Sequence, residues 1–517
     1  MRLRLRFGLG VAGLALAALG LWVFDDRIPE ALGFHERSCG FHEHAERRVR
    51  CGWMVVPENR GRADSRSIAL PVAIFRDQGE TAAGEPLVFI NGGPGYRVGI
   101  GQGAEIDAWW PWVDQIPAHH DVIIVGLRGT GLESPDFNCP DLVDPRVWAG
   151  ASAEPGSQGP SWPTITANAA NCRDRLIAEG VDLTAYNSRE TAADIEDLRR
   201  ALGIEAWTLY GISYGTRIAL TVMRHHPEGL EAVILDSVFP PQAPATLDYP
   251  RFYQASLNRL FGDCRKVAYC RRNFPRLDLK FEELRLRLAE QPEEIAIGGV
   301  GALPRLYLRL DDKALLEIVY NALYCWDLTD FLPMAIDQAS IGDFMLIEML
   351  AAEYYFRDDP SIYSPAVALS YLCHEEAPFE TAERRAEVIR TVGRFKHMIE
   401  NDPVGRLCRH WPSGRASATE DTPVESRIPT LLLAGSYDPI TPIDLARQAA
   451  ETLERAYVFE FRDVGHGVFD SHPCARTLVT NFLADPSRRP DATCLDEIGP
   501  PDFSGSADDP RRWANPR

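Results

Sequence analysis

The sequence predicts an α/β fold: a mostly parallel sheet with helices on both faces, and a helical cap inserted late in the chain. Three observations carry this. Short apolar runs alternate with helical stretches up to about residue 240, the strand rhythm stops between 241 and 425, and it resumes near 426. Strand, helix, strand, helix in succession implies parallel strands buried on both faces.

The chain has 517 residues, too many for one small core and suited to one large domain with an insertion. It opens with the basic "MRLRLR" and then runs uncharged from Phe7 to Phe24. That pattern marks 1–24 as a signal peptide or a membrane anchor, its positive end inside. No small-x-small site closes the run, which favours anchoring over cleavage. Residues 25–38 form a stalk, and 39–240 are the first part of the α/β core. "LPVAIFR" (70–76), "PLVFI" (86–90) and "DVIIVGL" (121–127) read as strands. "ETAADIEDLRRALG" (190–203) reads as a helix with Ile195, Leu198 and Leu202 on one face and Gly203 at its end. "EAWTLYGIS" and "LEAVILDSVFP" are strands on either side of the helix "GTRIALTVMRHHPEG". The cap spans 241–425, with "DFMLIEMLAAEYYF" (343–356) a typical helical stretch. The second part of the core, 426–500, carries the strands of "PTLLLAGSYDP" and "AYVFEFRDVGH", and 501–517 is a tail. Trp109, Trp110 and Trp112 read as buried packing, with a pocket wall as the alternative.

The net charge is −20, from 74 acidic against 54 basic residues, which argues against nucleic acid as a partner. Eleven cysteines point to an oxidising compartment, hence the periplasmic or extracellular face. Pairing sequence neighbours gives Cys39–Cys51, Cys139–Cys172, Cys264–Cys270, Cys373–Cys408 and Cys474–Cys494, with Cys325 left over; the sequence leaves connectivity open. "FHEH" (41–44) beside Cys39 lacks a second ligand half, so no metal is called for.

The stretch "YGISYGT" (210–216) follows an apolar strand and precedes a helix. A turn sharp enough to expose Ser213 at the carboxyl edge of the sheet crowds adjacent segments, and Gly211 and Gly215 remove the side chains that would clash. This is the G-x-S-x-G nucleophile elbow in its strand–turn–helix setting. A serine at its normal pKa needs a base, itself held by an acid. Asp438 and His466 each follow a later strand, in the order Ser, Asp, His that this architecture requires. Asp438 would orient His466, which must be neutral to take the Ser213 proton. "NGGPG" (91–95) follows a strand, so the oxyanion hole is assigned to the N–H groups of Gly93 and Tyr214.

Together "CGWMVVPENR", "NGGPG", "RGTGLESP", "GISYGT", "AGSYDPITP", "VGHG" and "HPCARTLVTNFLADPSRRPDATC" resemble the α/β-hydrolase peptidases of the prolyl aminopeptidase and tripeptidyl aminopeptidase (TAP-like) type. The resemblance covers roughly 39–500. It implies the α/β-hydrolase fold, peptide substrates cut near a free N-terminus, export, no cofactor, and a cap that chooses the substrate. Acidic cap residues would hold the substrate's ammonium; "SYLCHEEAPF" (370–379) makes Glu375 the first candidate and Glu376 the second. Two departures lie near the pocket rim: Gly126 and Leu127 stand where members usually have Asp-Gln, and Asn91 where many have His. The same triad also serves an esterase or lactonase. A non-catalytic exported binding protein is the rival from another class.

Overall fold

The computed structural model describes residues 31–39, 47–77, 84–100, 108–131, 135–144, 146, 151–157, 162–299, 301, 303–325, 327–357, 362–501 and 503–504. The apolar N-terminal run, all of "FHEH" and the last residues of the tail lie outside them. Among the described residues no helix is long and apolar enough to cross a membrane.

One nine-stranded sheet organises the chain, in the order β1-β2-β3-β5-β4-β6-β7-β10-β11. Its strands are β1 (Gly33–Arg37), β2 (Arg47–Pro57), β3 (Ser67–Asp77), β4 (Leu87–Ile90), β5 (Val122–Val125), β6 (Trp207–Ile212), β7 (Leu230–Asp236), β10 (Thr430–Gly435) and β11 (Ala456–Phe461). From β5 to β11 every neighbouring pair is parallel, whereas β1, β2 and β3 pair antiparallel and β3 joins β5 antiparallel. Successive side chains of a strand point to opposite faces. Val88, Leu209, Val233 and Leu432 accordingly enter one core, and Leu87, Phe89, Ala232 and Leu431 the other. Both faces are covered, as the unbroken apolar runs predict. The predicted helix over 190–203 is Ser188–Ala201, started by Asn187, whose side chain accepts from the Glu190 N–H. The three tryptophans pack: Trp110 and Trp112 are buried, edge-on to Phe75 and Phe89.

Two features depart from the sequence reading. β1 and β2 extend the sheet with a hairpin-like antiparallel edge, and β8 (Glu293–Ile297) pairs with β9 (Leu306–Leu310) inside the otherwise helical insertion. The insertion also has two allegiances. Helices Ala245–Lys266, Leu277–Glu290, Asp312–Tyr324 and Met345–Phe356 enclose a separate apolar core. Helix Pro365–Glu375 instead sends Ala366, Val367, Leu369 and Tyr371 into the core beneath the sheet.

Five disulfides form in the neighbour scheme, 39–51, 139–172, 264–270, 373–408 and 474–494, and Cys325 is buried and unbridged. Alkylation of the denatured, unreduced chain should therefore label one of the eleven cysteines, and alkylation after reduction all of them. Mass counting showing three or more labels before reduction would break this scheme.

Candidate active site

Ser213 stands between β6 and helix Tyr214–His225 with φ 56° and ψ −126°, a conformation L residues avoid. The crowding that calls for glycine is visible. A Cβ on Gly211 would lie 2.5 Å from the Gly215 carbonyl oxygen, and one on Gly215 would run into the Ile90 and Asn91 carbonyls. The strained turn is held by neighbours: Ser213 N–H donates to Asp236 O at 2.8 Å, and the Thr216 hydroxyl donates to Ser213 O at 2.6 Å.

Asp438 is fully buried, and its Oδ2 lies 2.7 Å from His466 Nδ1. Its Oδ1 accepts from the N–H groups of Ile440 and Thr441, both at 2.9 Å, and Oδ2 also accepts from the Thr441 hydroxyl at 2.6 Å. Burial pushes this carboxyl up, but the facing His466 and these hydrogen bonds outweigh it and hold it below the ordinary aspartate range. A depressed carboxyl stabilises the fold above its ordinary titration range, and that contribution is lost as pH falls through the lowered value. His466 Nε2 is buried with no hydrogen-bond partner among the described residues, and His466 and Ser213 line the same cavity.

The loop carrying His466 is positioned by a residue the sequence reading passed over. Asp236, at the end of β7, accepts from the N–H groups of Val468 and Phe469 at 2.9 Å each and from the Tyr210 hydroxyl at 2.7 Å. Its one sequence signal was a carboxylate at the carboxyl end of the strand beside the elbow. From the cap side, His466 N–H donates to Tyr324 O at 2.9 Å, and the two rings stack at 4.4 Å.

Gly92, Gly93 and Pro94 face Ser213 across the cavity mouth; a Cβ on Gly92 would come within 2.8 Å of Ser213 Cβ. Asn91 shapes this loop, its Oδ1 accepting from Gly92 N–H at 2.8 Å. Neither the Gly93 nor the Tyr214 N–H is used in a hydrogen bond among the described residues. Gly126 and Leu127, expected near the pocket rim, are not among the residues lining the cavity: Gly126 packs on Pro71, Leu127 lies in the core, and Arg128 is fully buried between Asp194 and the Glu58 and Ala185 carbonyls.

The structure does not bring Glu375 and Glu376 to the cavity. Glu375 accepts from the Ser188 N–H, the Ser188 hydroxyl and the Tyr214 hydroxyl, and Glu376 pairs with buried Arg217. Both carboxylates are buried behind the elbow, and burial, only partly offset by Arg217, raises Glu376 to about 8. Neither lines the cavity: Glu375 is engaged on both oxygens by Ser188 and Tyr214, and Glu376 is held through Oε1 by Arg217.

The cavity, about 950 Å³, lies between elbow and cap. Its acidic wall residues are Glu317 and Asp402. Asp402 is used up as a helix cap, accepting from Val404 and Gly405 N–H and pairing with Arg385. Glu317 has one hydrogen-bond partner among the described residues, the Tyr355 hydroxyl at 3.4 Å. Burial, with nearby Asp311, raises its carboxyl to about 7. Glu317, Tyr320, Asn321 and Tyr324 form one wall at helical i, i+3, i+4, i+7 spacing. That stripe was legible in "LLEIVYNALY" and went unread. His397 also lines the cavity; its Nδ1 is 3.2 Å from Arg394 O, which leaves buried Nε2 without a partner.

A strained serine at a sheet edge, with an Asp–His pair in the same cavity, is the arrangement of a serine hydrolase on an α/β-hydrolase fold. The family described as alpha/beta hydrolase fold matches residues 85–294, and TAP-like protein matches 395–494. Residues 85–294 thus form an α/β-hydrolase-fold part and residues 395–494 a TAP-like part of a serine hydrolase. It is 26% identical over 465 residues to serine protease Hip1 of Mycobacterium tuberculosis, covering 84% of each chain. It is 25% identical over 239 residues to tripeptidyl aminopeptidase of Streptomyces lividans, covering 44% of this chain and 41% of the relative. A shorter match, 37% over 82 residues, links it to proline iminopeptidase of Xylella fastidiosa, covering 16% of this chain and 25% of that one.

Replacing Asp236 by Asn would set an amide NH2 against one of the two N–H groups, Val468 on Oδ1 or Phe469 on Oδ2, that now each meet a carboxylate oxygen. Asp236→Asn should cost about 2–3 kcal/mol of stability and lower kcat by freeing the His466 loop. Urea titration alongside steady-state kinetics checks both; an unchanged midpoint would show that Asp236 does not hold the loop.

Proposed function

We propose that this protein is an exported serine aminopeptidase that releases a short peptide from a free N-terminus. Ser213 attacks the scissile carbonyl while His466, oriented by Asp438, takes its proton. The Gly93 and Tyr214 N–H groups receive the oxyanion. His466 then protonates the leaving amine, and water hydrolyses the acyl-enzyme. The relatives' names, a serine protease and two aminopeptidases, support peptide substrates. The disulfides support an extracellular setting. The apolar run Phe7–Phe24 supports an anchor.

The observation that carries the aminopeptidase reading is Glu317, a cavity carboxylate with a single long hydrogen bond. A peptide ammonium supplies the charge and the donors it lacks, and Tyr320 and Tyr355 line the cavity beside it. His397, with Nδ1–H directed to a carbonyl, presents Nε2 as a second acceptor. Asn321 Nδ2, buried and unpartnered, offers a donor to a peptide carbonyl. A volume of about 950 Å³ lies at the upper end of small-ligand sites, which suits several residues better than one.

The test is a fluorogenic panel of free and N-acetylated Pro, Ala and Ala-Ala-Pro amides plus a short acyl ester. Ser213→Ala should abolish turnover, on the order of 10⁶-fold. Glu317→Gln should raise KM for free-amine substrates about tenfold or more and leave the ester unchanged. Because Glu317 titrates at about 7 beside Asp311, Lys313 and Tyr355, kcat/KM for free-amine substrates should fall below that pH as its charge is lost. The ester, which carries no ammonium, should lack this dependence on Glu317. Turnover of the ester alone would move the protein to the esterase reading.

A further inference from the structure

Glu375, absent from the cavity, has a different task. Helix Pro365–Glu375 touches both halves of the oxyanion hole, one with each end. Before its first turn, Ser364 N–H donates to Gly95 O at 3.0 Å and Arg97 N–H to Ile362 O at 2.9 Å, a short antiparallel bridge that pairs Tyr96 with Tyr363. This bridge seats the Gly93 loop. At its last residue, Glu375 accepts the hydroxyl of Tyr214, the residue whose N–H is the second donor.

Between the two contacts the helix has little freedom. It is 11 residues long, about 16 Å at 1.5 Å per residue. Its residues from Pro365 to Tyr371 are buried. The Tyr371 hydroxyl meets Thr191 Oγ1 at 2.5 Å, and Cys373 is bridged to Cys408. A carboxylate at a helix C-terminus opposes that helix's own dipole. Glu375 is tolerated there because it faces the first residues of two other helices, Ser188 and Tyr214, and lies 3.8 Å from Arg217. A locally unfavourable charge retained by three tertiary contacts fits a positioning device better than a helix cap.

We infer that helix Pro365–Glu375 is a rigid spacer that sets the separation of the Gly93 and Tyr214 N–H groups, and that Glu375 is a positioning residue acting through the Tyr214 hydroxyl. The inference rests on the serine hydrolase reading above. It gives the insertion a part in the chemistry, separate from substrate choice.

Tyr214→Phe removes one hydroxyl and keeps the ring; Glu375→Gln removes one acceptor oxygen and the charge. Each is read on the panel substrate the wild type turns over, with the matching peptide aldehyde and peptide alcohol as inhibitors. The aldehyde forms a tetrahedral adduct in which Ser213 Oγ bonds to the carbonyl carbon and the C=O electron pair becomes the oxyanion. The alcohol forms none. Displacing one donor without deleting it should lower kcat by roughly 10- to 100-fold, less than the loss of a donor, with KM within about twofold. The aldehyde's Ki should rise by the same factor and the alcohol's should not move. The double variant should be no worse than the poorer single one, since both act through one contact. Unchanged kcat and aldehyde affinity in Tyr214→Phe would overturn the inference, even if Glu375→Gln fails to fold. So would a Glu375→Gln defect confined to KM for free-amine substrates. Full activity in Ser213→Ala would instead remove the reading beneath it.

Discussion

The left-handed backbone of Ser213 is the constraint on which the site turns. A residue at φ 56° holds that conformation only if its surroundings leave no alternative. Here they come from four directions. Gly211 and Gly215 allow β6, the elbow helix and the end of β4 to meet at backbone contact distance, Asp236 O fixes the Ser213 N–H, and the Thr216 hydroxyl fixes its carbonyl. Thr216 Oγ1 then accepts from Phe239 N–H at 2.8 Å, so the elbow also sets the chain leaving β7 toward the cap.

Buried charge extends this order outward. Asp236 and Asp438 hold the two flanks of the His466 loop, Arg128 and Asp194 tie the segment after β5 to helix Ser188–Ala201, and Arg217 lies between Glu375 and Glu376. Such pairs add little net stability, because desolvation offsets most of their attraction, but removing one partner leaves an uncompensated charge. Their effect is to select one arrangement of loops that would otherwise have several. Each joins segments far apart in the chain, so the site closes only when the whole sheet is formed.

The parallel strands were legible because both their faces are buried, which writes them as unbroken apolar runs. Ser213 and Asp438 each follow such a run, and His466 follows the half-buried edge strand β11, which Glu460 interrupts. The antiparallel edge was missed: β2 begins with "RRVRC", whose charges look like a loop, and β8 opens with two exposed glutamates. Glu375 was noticed and misread. A carboxylate in a cap helix looks the same in sequence whether it faces a cavity or the back of the elbow, and only the partners Ser188 and Tyr214, far earlier in the chain, decide it. Glu317 is legible only as part of the polar stripe Glu317, Tyr320, Asn321 and Tyr324, since alone a glutamate among leucines and valines in a helix reads as its solvent edge.

The two allegiances of the insertion divide its labour. The helices with their own core supply the stripe from Glu317 to Tyr324, and that core also takes in Tyr437, the neighbour of Asp438. Helix Pro365–Glu375 lies in the sheet's core, where substitutions are felt at the elbow. The two parts meet the chemistry at different atoms: the first reaches His466 through Tyr324, the second reaches the oxyanion donors through Gly95 and Tyr214. Tyr324 ends the helix that begins its wall at Glu317, seven residues earlier on the same face. A ligand that shifts this helix by drawing on Glu317 therefore moves a ring stacked on the imidazole. The base is thus one helix away from Glu317, whereas the donors proposed at Gly93 and Tyr214 are reached through helix Pro365–Glu375, whose Leu372 lines the same cavity.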